Sequence, residues 1–117
     1  MAKKQGKILI IDDDRDVLYT AKMILKPHYE TVLTEDTPNR IETLLSSHQY
    51  DVILLDMNFK PGATQGNEGL YWLSQILKIN PAANVILNTA YGDINLAVEA
   101  MKKGAIDFLV KPWRKRS

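Results

Sequence analysis

Asp12, Asp13 and Asp14 follow the apolar run Ile8–Ile11, and Asp56 follows the apolar run Val52–Leu55. The run VILN ends in Thr89-Ala90, and DFLV ends in Lys111-Pro112. Taken singly, each of these polar residues has a plain structural reading. An aspartate at a strand-to-helix junction caps the helix, Asp56 serves a turn, Thr89 is structural and Lys111 is a solvated lysine. Together they place carboxylates, a hydroxyl and an ammonium at the ends of four short runs. Clustered carboxylates repel one another, and their burial is costly unless a cation is bound. A hard divalent cation with oxygen ligands answers that need, and magnesium fits best if a phosphate completes its shell. Beside such an ion, Asp56 can act as a nucleophile toward a phosphoryl group. Thr89 could donate to a transferring oxygen, and Lys111 could offset its charge.

Such a site needs a scaffold that brings four chain segments to one rim. The runs Ile8–Ile11, Val52–Leu55, Val85–Leu87 and Ile106–Val110 are short and rich in Ile and Val, as strands buried on both faces are. A weaker strand is expected at Glu30–Leu33. Helical spacing separates them: Val17, Leu18, Ala21, Ile24 and Leu25; Ile41, Leu44 and Leu45; Leu70, Leu73, Ile76 and Leu77; Ile94, Ala97, Val98 and Met101. Thr37-Pro38 reads as an N-cap with a first-turn proline, Asn80-Pro81 as a stop, Asp93 as a cap and Gly104 as a helix end. The order β-α-β-α-β-α-β-α-β implies a parallel sheet with helices on both faces. Sites in such α/β folds lie outside the carboxyl ends of the strands, near the point where strand order reverses.

Composition narrows the class. With 117 residues, 45% hydrophobic and 25% charged, the chain suits one domain with a real core, spanning residues 1–117. A net charge of +1 does not point to nucleic acid or membrane, and the absence of cysteine excludes thiol chemistry. The start does not read as a signal peptide and no apolar run suits a membrane span, so a cytoplasmic protein is the default. The loop after the first strand is acidic, unlike a dinucleotide or flavin phosphate loop, and a Walker A pattern is absent. A phosphatase of the haloacid dehalogenase type would want a carboxylate where Asn58 stands. His28 and His48 lie away from the expected rim.

The pieces ILIIDDDRDV, DVILLDMN, VILNTAYGDINLAVEAMKKGA and DFLVKPW together resemble the receiver domains of two-component response regulators, over essentially the whole chain to Trp113. The resemblance implies a doubly wound, flavodoxin-like sheet of five parallel strands in the order 2-1-3-4-5. It also implies that Asp56 accepts a phosphoryl group from a histidine kinase with Mg2+. Asp13 and Asp56 would be direct metal ligands, Asp12 would act largely through water, and the backbone carbonyl of Asn58 would complete the protein's share. Thr89 and Lys111 match the switch hydroxyl and the phosphoryl-contacting lysine, and Phe108 the switch aromatic. The stretch TAYGDINLAVEAMKKGAIDFLVKPW looks most like NtrC-type receivers, which control transcription activators of the AAA+ class. That implies an output domain elsewhere in a longer protein, and no direct nucleic-acid or membrane binding by this domain.

The chain departs from the family pattern twice. Pro61 stands five residues after Asp56 rather than four, and Gly69, the counterpart of the family's loop glycine, is further on still. An insertion of roughly Lys60–Asn67 is therefore expected. After Trp113 only Arg114–Ser117 remain where the family's last helix would follow, so that helix reads as truncated. The exposed face left behind is expected to be covered by another copy, as a homodimer. Two readings from other classes stand beside the receiver. One is a phosphohydrolase using Asp56 on small phosphoesters; the other is a metal-free interaction module, against which the acidic pair, Thr89 and Lys111 argue.

Overall fold

Ile, Leu and Val runs flanked by polar residues make five strands in the computed structural model, which describes residues 5–57, 67–89 and 94–110. The strands are β1 (Lys7–Ile11), β2 (Thr31–Glu35), β3 (Val52–Asp56), β4 (Val85–Thr89) and β5 (Asp107–Val110). They alternate with helices α1 (Arg15–Leu25), α2 (Ile41–Ser47), α3 (Asn67–Ile79) and α4 (Ile94–Lys102). All strand pairs are parallel, and the order is β2-β1-β3-β4-β5. The chain therefore has the expected doubly wound α/β fold.

Alternation along the strands sends successive side chains to opposite faces. Ile8, Ile10 and Leu54 pack on one face with Leu18 and Ala21 of α1. Leu9, Ile11, Leu55 and Leu87 pack on the other with Ile41 of α2, Leu73 and Ile76 of α3 and Ala100 of α4. Burial on both faces is why β1 and β3 read as unbroken apolar runs.

Boundaries differ from expectation where polar residues continue a ladder. β2 runs from Thr31 to Glu35 rather than Glu30 to Leu33, because its pairing with β1 extends through Thr34 and Glu35. β3 includes Asp56, and β4 includes Asn88 and Thr89. Thr37 is extended before a short 3-10 turn, Pro38–Arg40, that leads into α2, so the first-turn proline is as expected. The Thr37 side chain, however, makes no capping bond; its hydroxyl donates to Asp36 Oδ1 at 3.1 Å. Asn67 belongs to α3, so the expected insertion overlaps the first residue of that helix. The rest of that insertion, together with Pro61, Asp93 and the expected truncation after Trp113, lies outside the described residues.

α4 closes on Gly104 with a Schellman pattern: Ala105 N–H donates to Ala100 O (3.1 Å) and Gly104 N–H to Met101 O (3.2 Å). Gly104 has φ +120°, and an added Cβ would lie 2.7 Å from Leu77 Cδ1. The strained backbone dominates here, since the Leu77 tip can move. Gly104→Ala is expected to cost about 1–3 kcal/mol, visible as a lower melting temperature, without changing chemistry at the distant strand ends.

Several large apolar side chains stay exposed, among them Tyr19 and Met23 on α1, Ile94 and Val98 on α4, and Leu109 and Val110 on β5.

Candidate functional site

The carboxyl ends of β1 and β3 deliver the acidic cluster. Asp12 and Asp56 are fully buried, and Asp13 is half-buried. One carboxylate oxygen from each of Asp12, Asp13 and Asp56 lies within 4.8 Å of the others. Asp14 stands apart from this cluster. Asp14 is the helix cap: its Oδ1 accepts from Asp16 N–H (2.9 Å) and Val17 N–H (3.4 Å). Asp12 faces inward instead and accepts from Asp14 N–H at 2.8 Å. Its own N–H donates to Glu35 O (3.1 Å), which prolongs the β1–β2 ladder up to the site.

Three carboxylates this close are a hard oxygen donor set, the kind that suits Mg2+ or Ca2+ rather than a soft metal. Receiver domains bind Mg2+ at such an acidic pocket, and the donor chemistry of Asp12, Asp13 and Asp56 fits that ion.

Thr89 ends β4 and is 1% exposed. Strand alternation and register put it on the same sheet face as Leu87 and Phe108. Phe108 is half-buried and packs against the core on that face. The switch pair named from the sequence thus shares one face, while Asp12 and Asp56 share the other with Ile10 and Leu54. Asn58 and Lys111 lie outside the described residues.

Two features were not read from the sequence. Asn88, 2% exposed, stands in register with Asp56 on the adjoining strand. The available signal was an amide directly after the apolar run Val85–Leu87. The other is the tight approach of Gly69 to the chain just beyond Asp56. A Cβ on Gly69 would lie 2.5 Å from Met57 O and 2.6 Å from Met57 Cα. Only a residue without Cβ lets α3 begin against that backbone. Gly69 was legible as a loop glycine, but its partner was not.

At the same rim, Arg15 Nε donates to Asp36 Oδ2 at 2.9 Å, which holds the Asp36 carboxyl below its ordinary range. An open depression of about 420 Å³ between α1 and β2 is lined by Arg15, Leu18, Tyr19 and Asp36, among others, and by none of the three clustered aspartates.

A parallel 2-1-3-4-5 sheet with three aspartates converging at the β1 and β3 ends defines a response regulator receiver domain. The response regulator receiver domain family matches residues 8–117, and the chain belongs to that family. Among solved structures, it is similar to the N-terminal signal receiver domain of a two-component system response regulator from Bacteroides fragilis. That similarity is 43% identity and TM-score 0.84, over 95% of this chain and 88% of the other. It is also similar to NtrX from Brucella abortus in complex with ADP: 28% identity, TM-score 0.81, over 94% of this chain and 24% of that one. Curated relatives include the alginate biosynthesis transcriptional regulatory protein AlgB of Pseudomonas aeruginosa, 33% identical over 111 residues. The DNA-binding transcriptional regulator NtrC of Salmonella typhimurium is 32% identical over 110 residues. These matches take 95% and 94% of this chain but 24% and 22% of the relatives, so the chain spans about a quarter of their length. The receiver is of the NtrC type, a signalling domain rather than a classical enzyme. No helix among the described residues is long and apolar enough to cross a membrane.

Proposed function

We propose that the chain is a phosphorylation switch in which Asp56 accepts a phosphoryl group from a phosphohistidine of a histidine kinase. The observation that carries this reading is the convergence of Asp12, Asp13 and Asp56 at the β1 and β3 ends. An Asp56 oxygen attacks phosphorus, the phosphorus–nitrogen bond breaks, the imidazole leaves, and an aspartyl phosphate remains. Asp13, Asp56 and the Asn58 carbonyl would hold Mg2+, with Asp12 acting largely through water, and the ion would supply charge neutralisation for the transferring oxygens. Asp56 is presented by a strand paired on both sides, so the nucleophile has little freedom to drift. The Thr89 hydroxyl and the Lys111 ammonium then engage the phosphoryl oxygens. Movement of Thr89 toward the new group frees space for Phe108 to turn inward, which reshapes the α4–β5 surface.

The signal passes to an output domain in a longer protein and regulates transcription, in keeping with the transcriptional regulators it resembles; an AAA+ activator is the output its NtrC-type character favours. Self-association through the exposed α1 and β5 side chains belongs to the same reading.

Acetyl phosphate with Mg2+ is expected to add one phosphoryl group per chain, read by intact mass. Stoichiometric labelling separates this reading from a phosphohydrolase, which would turn over a generic phosphoester instead. Asp13→Ala removes a direct ligand and is expected to abolish the Mg2+-dependent part of the labelling. Full labelling of that variant at the same Mg2+ concentration would contradict the ligand assignment.

A further inference from the structure

We infer that Arg15 and Asp36 are positioning residues that hold the turn carrying Asp13 in place for the metal, an inference that rests on the Mg2+ reading of the acidic cluster. Arg15 Nε donates to Asp36 Oδ2 at 2.9 Å, from the first residue of α1 to the residue after β2. Earlier in the same turn, Asp12 N–H donates to Glu35 O at 3.1 Å. The turn is thus tied to the end of β2 on both sides of Asp13, through the main chain at Asp12 and through the side chain at Arg15. Its β2 anchor is itself fixed. Asp36 Oδ1 accepts from the Thr37 hydroxyl at 3.1 Å, and Glu35 Oε2 accepts from Thr37 N–H at 3.1 Å. Both oxygens of Asp36 are therefore engaged, so its carboxylate meets Arg15 in one orientation.

Close packing does not supply this tie. The depression of about 420 Å³ opens between α1 and β2 at this end, with Arg15, Tyr19 and Lys22 on one wall and Thr34 and Asp36 on the other. Asp14 caps α1 through Asp16 N–H and Val17 N–H, which orders the helix end but does not set its place against the sheet. The bond from Arg15 to Asp36 spans that opening.

The consequence concerns the metal. Asp12 and Asp56 are fully buried, whereas Asp13 is half-buried and depends more on the backbone of its turn. Mg2+ demands near-ideal octahedral geometry, so a ligand free to drift weakens its binding. A ligand arranged before the ion arrives avoids the ordering cost at binding. Arg15 and Asp36 touch neither ion nor phosphodonor in this role; they act through Asp13. Their side chains are 85% and 33% exposed, so the pair adds little to the stability of the fold.

Calorimetric titration with Mg2+ provides the test, on wild type, Arg15→Gln, Asp36→Asn and the double variant. Salt of about 0.15 M screens charges more than about 8 Å apart. Loss of the tie is expected to raise the Mg2+ dissociation constant about two- to fivefold in all three variants, the double variant no more than either single one. Charge alone gives another pattern. Without Arg15 the rim is more negative and would bind Mg2+ more tightly, and without Asp36 less tightly. The double variant, with the net charge of wild type, would then match wild type. Opposite shifts in the single variants, additive losses in the double variant, or constants equal to that of wild type would overturn the inference and leave the metal reading intact. A wild type that takes up no Mg2+ would remove both. Neither side chain is buried, so all four proteins are expected to melt alike in chelator. A weakened Mg2+ affinity that tracks a large fall in melting temperature would mark a structural role and would also overturn the inference.

Discussion

Asp56→Asn is expected to take up no phosphoryl group from acetyl phosphate and Mg2+, and at the same time to melt higher than wild type without metal. Both effects come from one atom exchange. The carboxamide has nearly the shape of the carboxylate, so strand β3 and its neighbours should be undisturbed. It has no anionic oxygen to attack phosphorus, so labelling should be lost outright rather than slowed. The stability gain follows from the cluster itself. Carboxylate oxygens of Asp12, Asp13 and Asp56 lie within 4.8 Å of one another. Two like charges at that separation repel by on the order of 3 kcal/mol at an effective dielectric of about 20. Removing one charge relieves part of that repulsion, and several degrees of melting temperature is the expected scale. Mg2+ should narrow the difference, because it stabilises the wild-type cluster more than the variant. Intact mass and thermal melting with and without Mg2+ check both halves. Equal labelling of the two proteins would refute Asp56 as the acceptor. Equal melting in chelator would mean that the cluster is not strained by its charges.

Gly69→Ala is the second large expected effect. The added methyl would sit 2.5 Å from Met57 O, 2.6 Å from Met57 Cα and 2.9 Å from Met57 C. All three are backbone atoms, which cannot swing aside as a side-chain tip can. Either the start of α3 or the chain after Asp56 must move. Overpacking of this kind costs about 1–3 kcal/mol. The functional loss should be larger in proportion, since Met57 is joined to Asp56 and precedes Asn58, whose carbonyl is the proposed metal ligand. A misplacement of about 1 Å at a reacting group can cost on the order of a hundredfold in rate. The variant is therefore expected to fold with a lowered melting temperature and to label far more slowly. Gly104→Ala is the control, because it is destabilised for a different reason and lies away from the acceptor. Similar labelling by both glycine variants would show that the Gly69 contact matters only for stability.

Much of the fold was legible from the chain because the signals were local. Ile8–Ile11 and Val52–Leu55 are short, β-branched-rich and apolar on both parities, as a strand buried on two faces is. Helical spacing in Leu70, Leu73, Ile76 and Leu77 marks α3 without reference to any other segment. Elements that depend on pairing were less legible. Thr34 and Glu35 extend β2 because β1 lies beside them, a fact that no property of residues 31–35 announces. The Thr37 hydroxyl is drawn to Asp36 rather than to a cap.

The candidate site divides in the same way. Residue types at strand ends pointed to its proposed chemistry: hard oxygen donors from Asp12, Asp13 and Asp56, with a hydroxyl at Thr89. Those types sit where a parallel sheet must open to solvent, so composition and order suffice to name them. Tertiary structure decided how each aspartate is placed. Asp12 turns inward and is buried, while Asp14, two residues on, caps α1. It also decided that Asn88 stands beside Asp56 and that α3 begins against Met57. These relations join residues on separate segments, 32 positions apart for Asp56 and Asn88 (88 less 56). Register and close packing set such distances, and both are properties of the assembled sheet rather than of any one segment.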